Sequence, residues 1–334
     1  MTQSIENIGN RPKELRALYD AIRPEMEEVE RRLQDELQSQ CVFIDRMLRH
    51  GFQLGGKRLR PALVLLTAKA CGGTNDAHIV LATAFEMIHS ATLIHDDVLD
   101  EATIRRHLET VNARWDNEAS VLLGDFLLAR AICLASSLDT PDACREIAQA
   151  SLLTCQGELR QVAARRNFEL TEEAYLDIIA EKTAELCACC CRLGARYAGA
   201  DRETEETFYR FGSALGIAFQ IVDDILDICG TEEEMGKSLG TDLVKQKPTL
   251  PLIRVLETAS PEDKKAVVEI LSTQHVDYRD KLRPYFEKYD ALGYAEEKAR
   301  HFIAEAVSNL ESLPPHPVID ALRCLADFVI TRHQ

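Results

Sequence analysis

Apolar residues recur at helical spacing through most of the 334-residue chain. Residues 12–36 are rich in strong helix formers, with Pro24 marking a break or a first helical turn. A second helix is predicted over 38–50, closed by Gly51, and Gly55-Gly56-Lys57 leads into Pro61, placed to open the next. Helices follow over 61–71, 77–100, 117–137, 141–165, 171–198 and 203–229. About four more are expected in the tail, with Pro261, Pro284 and Pro314-Pro315 as punctuation. Neither sustained period-two alternation nor an Asn-Gly turn occurs, so no sheet is expected. Residues 230–241 are Gly-rich and charged and read as a mobile loop. No linker or repeat divides the chain, which reads as one all-α unit over 1–334, with 1–11 a disordered lead.

Two helical segments carry the same acidic pentad. Asp96-Asp97-Val98-Leu99-Asp100 and Asp223-Asp224-Ile225-Leu226-Asp227 start 127 positions apart, each after an apolar run. On a helix, the first and fifth residues of a pentad share a face, and the second is offset by about 100°. Three carboxylates so placed repel one another unless a cation lies between them. Oxygen-only donors select a hard cation, and Mg²⁺ bridging to substrate phosphates suits them. A single such pentad is as easily a solvated helix end; a near-copy in a second helix is much harder to obtain by chance.

Composition narrows the partners. Hydrophobic residues make up 46% of the chain and charged residues 28%, enough for a sizeable core. A net charge of −16 argues against nucleic acid, which needs accumulated basic surface. The first thirty residues are polar and charged, so no secretory leader is read and a cytoplasmic location is expected. No uncharged apolar stretch approaches a membrane span, so none is expected. Of the 11 cysteines, Cys187, Cys189, Cys190 and Cys191 cluster on one helix. Adjacent positions on a helix point apart, which suits small core residues better than a tetrahedral zinc site.

Bases gather around the pentads. Lys57 and Arg60 fall three apart in Gly-Gly-Lys-Arg-Leu-Arg-Pro, and the glycines allow close approach of a ligand. Arg105-Arg106 follows the first pentad by about a turn, and guanidinium forks suit phosphate. His89 stands two turns before Asp96, either as a core histidine or as a phosphate donor. Near the second pentad come Lys182-Thr183, Gln220, Lys237 in the expected loop, and Lys247. Flexible lysines there can close over a leaving group.

In this order GGKRLRP (55–61), LIHDDVLDEATIRR (93–106), LLGDFLLA (122–129), GELRQ (157–161), EKTAEL (181–186), FQIVDDILD (219–227) and GKSLGTDL with KPTLPL (236–252) resemble the trans-isoprenyl (polyprenyl) diphosphate synthases, closest to the geranylgeranyl and octaprenyl types. The family's RRG followed by x-Pro-Thr is altered here: His107 and Glu109 stand where its Gly and Pro are usual, while Thr110 persists. The resemblance implies a bundle around a central apolar cavity and a homodimer. It implies an allylic diphosphate held through two or three Mg²⁺ by Asp96, Asp97, Asp100, Asp223, Asp224 and Asp227. Arg105, Lys182, Thr183, Gln220, Lys237 and Lys247 complete that site, with the three lysines as the catalytic cations. Isopentenyl diphosphate binds without metal at Lys57, Arg60, His89 and Arg106.

The growing chain is expected to run from the first pentad toward the start of its helix. Ala91 and Thr92, both small, are the first gate, then Ile88 and Phe85 at about one isoprene unit per 5.4 Å turn; Phe85 or Phe126 would form the floor. A product longer than fifteen carbons, in the range of twenty to forty, follows. A class I terpene cyclase ionises an allylic diphosphate too, but takes one diphosphate and typically has Asn, Ser and Glu in its second motif. A non-catalytic partner subunit of a heteromer could lose aspartates freely, and all six are present.

Overall fold

The computed structural model describes residues 18–54, 56, 58–230, 239–273 and 277–331. Lys57 and Lys237 therefore lie outside the described residues, as do the expected lead over 1–11 and most of the loop at 230–241.

The helices are α1 (Arg23–Glu36), α2 (Val42–Gln53), α3 (Leu59–Ala70), α4 (Asp76–Leu99), α5 (Val111–Arg114), α6 (Asn117–Ala135), α7 (Pro141–Ala163), α8 (Glu172–Ile179), α9 (Glu185–Tyr197) and α10 (Arg202–Cys229). After them come α11 (Thr241–Val244), α12 (Leu250–Thr258), α13 (Pro261–Ser272), α14 (Tyr278–Lys288), α15 (Ala291–Glu311) and α16 (Pro317–Thr331). The expected 171–198 helix is interrupted by one π turn, Ala180–Ala184. Local chemistry fixes the starts. The Asn75 side chain accepts from the Ala77 amide and the His78 ring from the Asn75 amide, a reciprocal cap for α4. Asp201 caps α10 in the same way through the Thr204 amide.

α4 and α10 run through the interior, α4 against α6 and α3, α10 against α9 and α15. Their buried faces join one large core containing Phe85, Phe208 and Phe211; a second apolar cluster forms among α12, α13 and α14. Between α1, α2, α4 and α6 the side chains of Leu33, Leu37, Leu48, Phe52, Met87, Ser90 and Leu127 close on one another and leave no room for a water molecule. All four clustered cysteines are buried in the core and free.

Three sequence expectations are corrected. Gly51 does not end α2; it lies inside the helix, packed so closely on Ile94 and Leu123 that a Cβ would come within 3.2–3.3 Å of them. Pro284 sits within α14 rather than at its end. A two-stranded hairpin exists, Ile104–Arg105 against Leu108–Glu109, too short for periodicity to reveal. Its turn residues Arg106 and His107 have φ of 53° and 63°, so His107 takes the left-handed conformation that the family's glycine would suit better. Apart from these, α4 passes a test of length and composition for crossing a membrane, but 67% of that window is buried within the bundle and no clear membrane span results. Core helices pass the same test.

Candidate active site

Both pentads occupy helix C-termini: Asp100 is the C-cap of α4, and Asp227 lies in the last turn of α10. That is the negative end of the helix dipole, where each carboxylate costs about 0.3–1 kcal/mol. Asp96, Asp97, Asp100 and Asp227 so placed work against helix stability, and their surroundings explain them instead.

On α4, Asp97 is 1% exposed and accepts from Arg105 Nε at 2.8 Å. Burial pushes its carboxyl up to about 6, although Arg105 pulls the other way. Burial likewise raises Asp96, opposed chiefly by the Lys182 ammonium. Asp100 meets Lys247 Nζ at 3.1 Å and Lys245 Nζ at 3.4 Å. Lys245 also donates to the Leu99 carbonyl, an orphan acceptor at the end of α4.

On α10, neutral donors hold Asp224. Asp224 accepts from the Tyr175 hydroxyl at 2.7 Å and from Gln220 Nε2 at 2.8 Å. Thr183 in turn donates to Gln220 Oε1 at 2.8 Å, which fixes the amide's orientation. Burial, with Asp242 and Asp223 nearby, pushes Asp224 upward. Asp227 accepts from the Asp242 amide at 3.1 Å and from Thr241 at 3.3 Å. Asp223 is half-buried on the same helix end.

Three elements bring the walls together. The π turn carries Lys182 and Thr183, and π turns widen a helix where a side chain must be re-aimed. Gly157 of α7 makes room for it, since a Cβ there would collide with the Lys182 backbone. Lys182 Nζ is then held by Glu158 at 2.5 Å and by Gln161 Oε1 at 2.8 Å. Lys247, before α12, stands 3.1 Å from Asp100 of α4 and 3.2 Å from Asp242 of α11, the residue whose amide donates to Asp227 of α10.

The donor set suits a hard divalent cation. Among the described residues no group of three His, Cys, Asp or Glu forms a ready-made metal cage. Within each helix end the carboxylates lie close enough to raise one another, offer oxygen only, and include Asp97 Oδ2, which is buried with no hydrogen-bond partner. Lysine ammonium groups balance some of the charge that a cation would balance.

Two turns up α4 the sign of the cleft reverses. His89 has a buried Nδ1 without a partner, and so does Arg60 at Nε. Burial lowers His89 well below its ordinary range, and Arg60, Arg106, Arg105 and Arg58 lower it further, which keeps the ring neutral. Gly56 joins this cluster: a Cβ there would lie 2.6 Å from Arg106 Nη2. Orphaned donors beside guanidinium groups in a buried, basic corner suit an anion.

On the proposed chain path, Ala91, Ile88 and Phe85 are all buried, and Phe85 is completely so. Thr92 donates to the His89 carbonyl at 2.8 Å, which turns its methyl outward from that bond. Phe126 is half-buried against the core.

Several contributors had weak signals. Glu158 and Gln161 lie within a quoted motif without an assigned role, and Asp242 and Lys245 follow the second pentad closely. Tyr175 could not be found by spacing, being 49 positions from its partner Asp224.

The polyprenyl synthetase family model matches residues 42–288. The chain is 36% identical to the all-trans-nonaprenyl-diphosphate synthase (geranyl-diphosphate specific) of Rhodobacter capsulatus, over 90% of this chain and 93% of that protein. It is 33% identical to heptaprenyl diphosphate synthase component 2 of Bacillus subtilis, over 93% and 89%. Among solved structures, polyprenyl synthase from Caulobacter crescentus, complexed with calcium and isoprenyl diphosphate, superposes with a TM-score of 0.90 at 34% identity, covering 95% of this chain and 97% of that one.

Proposed function

The chain belongs to the polyprenyl synthetase family of trans-prenyltransferases, and from that premise we propose how its cleft condenses isopentenyl diphosphate with an allylic diphosphate. The observation that carries the reading is the division of the cleft: a carboxylate half and a basic half lie two turns apart on α4, each with an orphaned buried polar atom.

Asp96, Asp97 and Asp100 on one wall, and Asp223, Asp224 and Asp227 on the other, would hold two or three Mg²⁺ against the allylic diphosphate. Bound there, the metal supplies charge neutralisation to the departing diphosphate. Arg105, Lys182 and Lys247 donate to its oxygens, with Thr183 and Gln220 orienting the second wall. Lys237 belongs to the same set by its motif. The allylic carbon–oxygen bond breaks and its electron pair leaves with the diphosphate. Arg60, His89, Arg106 and Lys57 hold isopentenyl diphosphate without metal. Its double bond attacks the allylic cation, a carbon–carbon bond forms, and the adjacent carbon loses a proton to the released diphosphate. A protein base is then unnecessary, and the buried apolar walls keep water from the cation.

A product longer than fifteen carbons, in the twenty-to-forty range, follows from small Ala91 and Thr92 beside the first pentad and from the depth of Phe85. The nonaprenyl relative is longer still and the heptaprenyl relative falls inside the range. A second copy of the chain is the proposed partner. Leu152, Leu159 and Val162 of α7, with Leu122 of α6, are apolar yet exposed, Leu159 by 70%. Leu152, Cys155, Leu159 and Val162 recur at three and four, the spacing of a helix-packing seam. The component 2 relative favours a second reading, a subunit needing a different partner.

The test is incubation of purified protein with Mg²⁺, labelled isopentenyl diphosphate and dimethylallyl, geranyl or farnesyl diphosphate, with dephosphorylated products separated by length. A ladder passing fifteen carbons supports the reading, and chelation should abolish it. Farnesyl diphosphate as sole product would refute the length. No elongation by folded protein would favour the partner-dependent subunit, and cyclic hydrocarbons from allylic diphosphate alone would select the cyclase.

A further inference from the structure

One ionic cluster plays no part in the chemistry above. Arg58 is buried, and its guanidinium faces three helices at once: Nε meets Glu30 Oε1 of α1 at 2.7 Å, Nη1 meets Glu86 Oε1 of α4 at 2.6 Å, and Cζ lies 4.4 Å from the Phe52 ring centroid of α2. Glu86 is 0% exposed, and Oε2 of both glutamates is buried without a hydrogen-bond partner. A buried ion triad is a poor way to stabilise a core, because desolvation offsets most of the attraction and apolar residues of similar size often do as well. Its presence calls for another reason.

Backbone geometry supplies one. Arg58 is the N-cap of α3 and has φ 57° and ψ 39°, a left-handed conformation that a non-glycine residue keeps only where its surroundings impose it. The residues flanking it face the other way. Gly56 touches Arg106, and Arg60 joins the guanidinium groups around His89. Glu86 and His89 are one turn apart on α4, so a single stretch of helix anchors Arg58 and presents His89. The anchor also opposes the mutual repulsion of the arginines gathered around the neutral His89, since Arg105 and Arg58 both bear on Arg106 with like charge. With its Nε and Nη1 donors committed to glutamates, Arg58 is turned away from the ligand.

We propose that the Glu30–Arg58–Glu86 bridge is a positioning device, which holds Arg58 and the start of α3 so that Arg60, His89 and Arg106 converge on one diphosphate before it arrives. The inference rests on the reading of that corner as the metal-free half-site for isopentenyl diphosphate.

The experiment is calorimetric titration of the full-length protein with isopentenyl diphosphate in the presence of a chelator, beside steady-state elongation. The variants are Glu30→Gln, Glu86→Gln and the triple Glu30→Gln/Arg58→Met/Glu86→Gln, which removes the charges together. Misplacement of a site by about 1 Å can cost about a hundred-fold, so isopentenyl diphosphate should bind about ten- to a hundred-fold more weakly to the triple variant and several-fold more weakly to the singles. KM for the allylic substrate should stay within about two-fold, a split that general damage would not give. A triple variant with parental helicity and melting temperature that binds isopentenyl diphosphate like the parent overturns the proposal. So does an equal loss for both substrates. Should the triple variant fail to fold, Glu30→Gln decides, because Glu30 is only half-buried and the change is isosteric: parental affinity there also overturns the proposal. If the parent protein itself neither binds nor elongates isopentenyl diphosphate, the half-site reading fails, a distinct result.

Discussion

On α4, Asp97 and Asp100 face cations: Arg105 at 2.8 Å, Lys247 at 3.1 Å and Lys245 at 3.4 Å. On α10, Asp224 is held by a phenol and an amide, and Asp227 by a backbone amide and a threonine. The pentads are thus near-copies in sequence and differ in what surrounds them. Mobile ammonium groups can exchange a carboxylate for a phosphate when one arrives, so the α4 wall is built to reorganise with ligand. Tyr175 and Gln220 fix the orientation of Asp224 without bringing an ammonium group to it, so that part of the α10 wall keeps its geometry as a ligand arrives. Duplicated motifs need not mean duplicated roles, and partners 4 to 147 positions away in the chain decide the difference.

Removing a carboxylate breaks the comparison most severely. Asp97→Asn and Asp223→Asn should each lower kcat/KM by about a thousand-fold, as expected when several kcal/mol of metal-borne charge stabilisation is lost. Steady-state elongation at saturating Mg²⁺ measures this, and a loss confined to one wall would mean that the other holds no metal. Next is Lys247→Ala. Loss of one preset cation at developing charge costs about a hundred-fold in kcat, and isopentenyl diphosphate affinity should not change. An equal loss of that affinity would show that Lys247 serves both halves of the cleft. Tyr175→Phe should be milder, about ten-fold, with part of the loss recovered at higher Mg²⁺, since Tyr175 only orients Asp224. Activity at the parental Mg²⁺ dependence would remove the hydroxyl from the account. Ala91→Phe is expected to change turnover least: it should shorten the product by blocking the path beside Asp96, read by chromatography. An unchanged product distribution would mean that the chain does not pass Ala91.

Much of this arrangement was legible in the sequence because it is local. Helical periodicity located the helices that carry the site, and the pentads, the GGKRLRP stretch and Lys182-Thr183 are contiguous strings. What could not be read depends on contacts between distant segments or on backbone conformations that no propensity encodes. Tyr175 reaches Asp224 across 49 positions, and Glu30 and Glu86 meet Arg58 across 28 each. The π turn follows from Gly157 packing against Lys182, and the turn at Arg106–His107 places two side-chain-bearing residues in left-handed conformations. Gly51 misled for the same reason: a glycine that reads as a helix stop is needed for close packing of α2 on α4 and α6.

The central claim is that one cleft holds two diphosphates by different means, one through metal and one through bases alone. It is tested most directly by calorimetry of the protein with isopentenyl diphosphate and, separately, with a non-reactive thio-analogue of an allylic diphosphate, each with Mg²⁺ and with chelator. The account predicts that isopentenyl diphosphate binds equally well under both conditions, while the allylic analogue loses most of its affinity on chelation. Metal dependence for both ligands, or for neither, would contradict it.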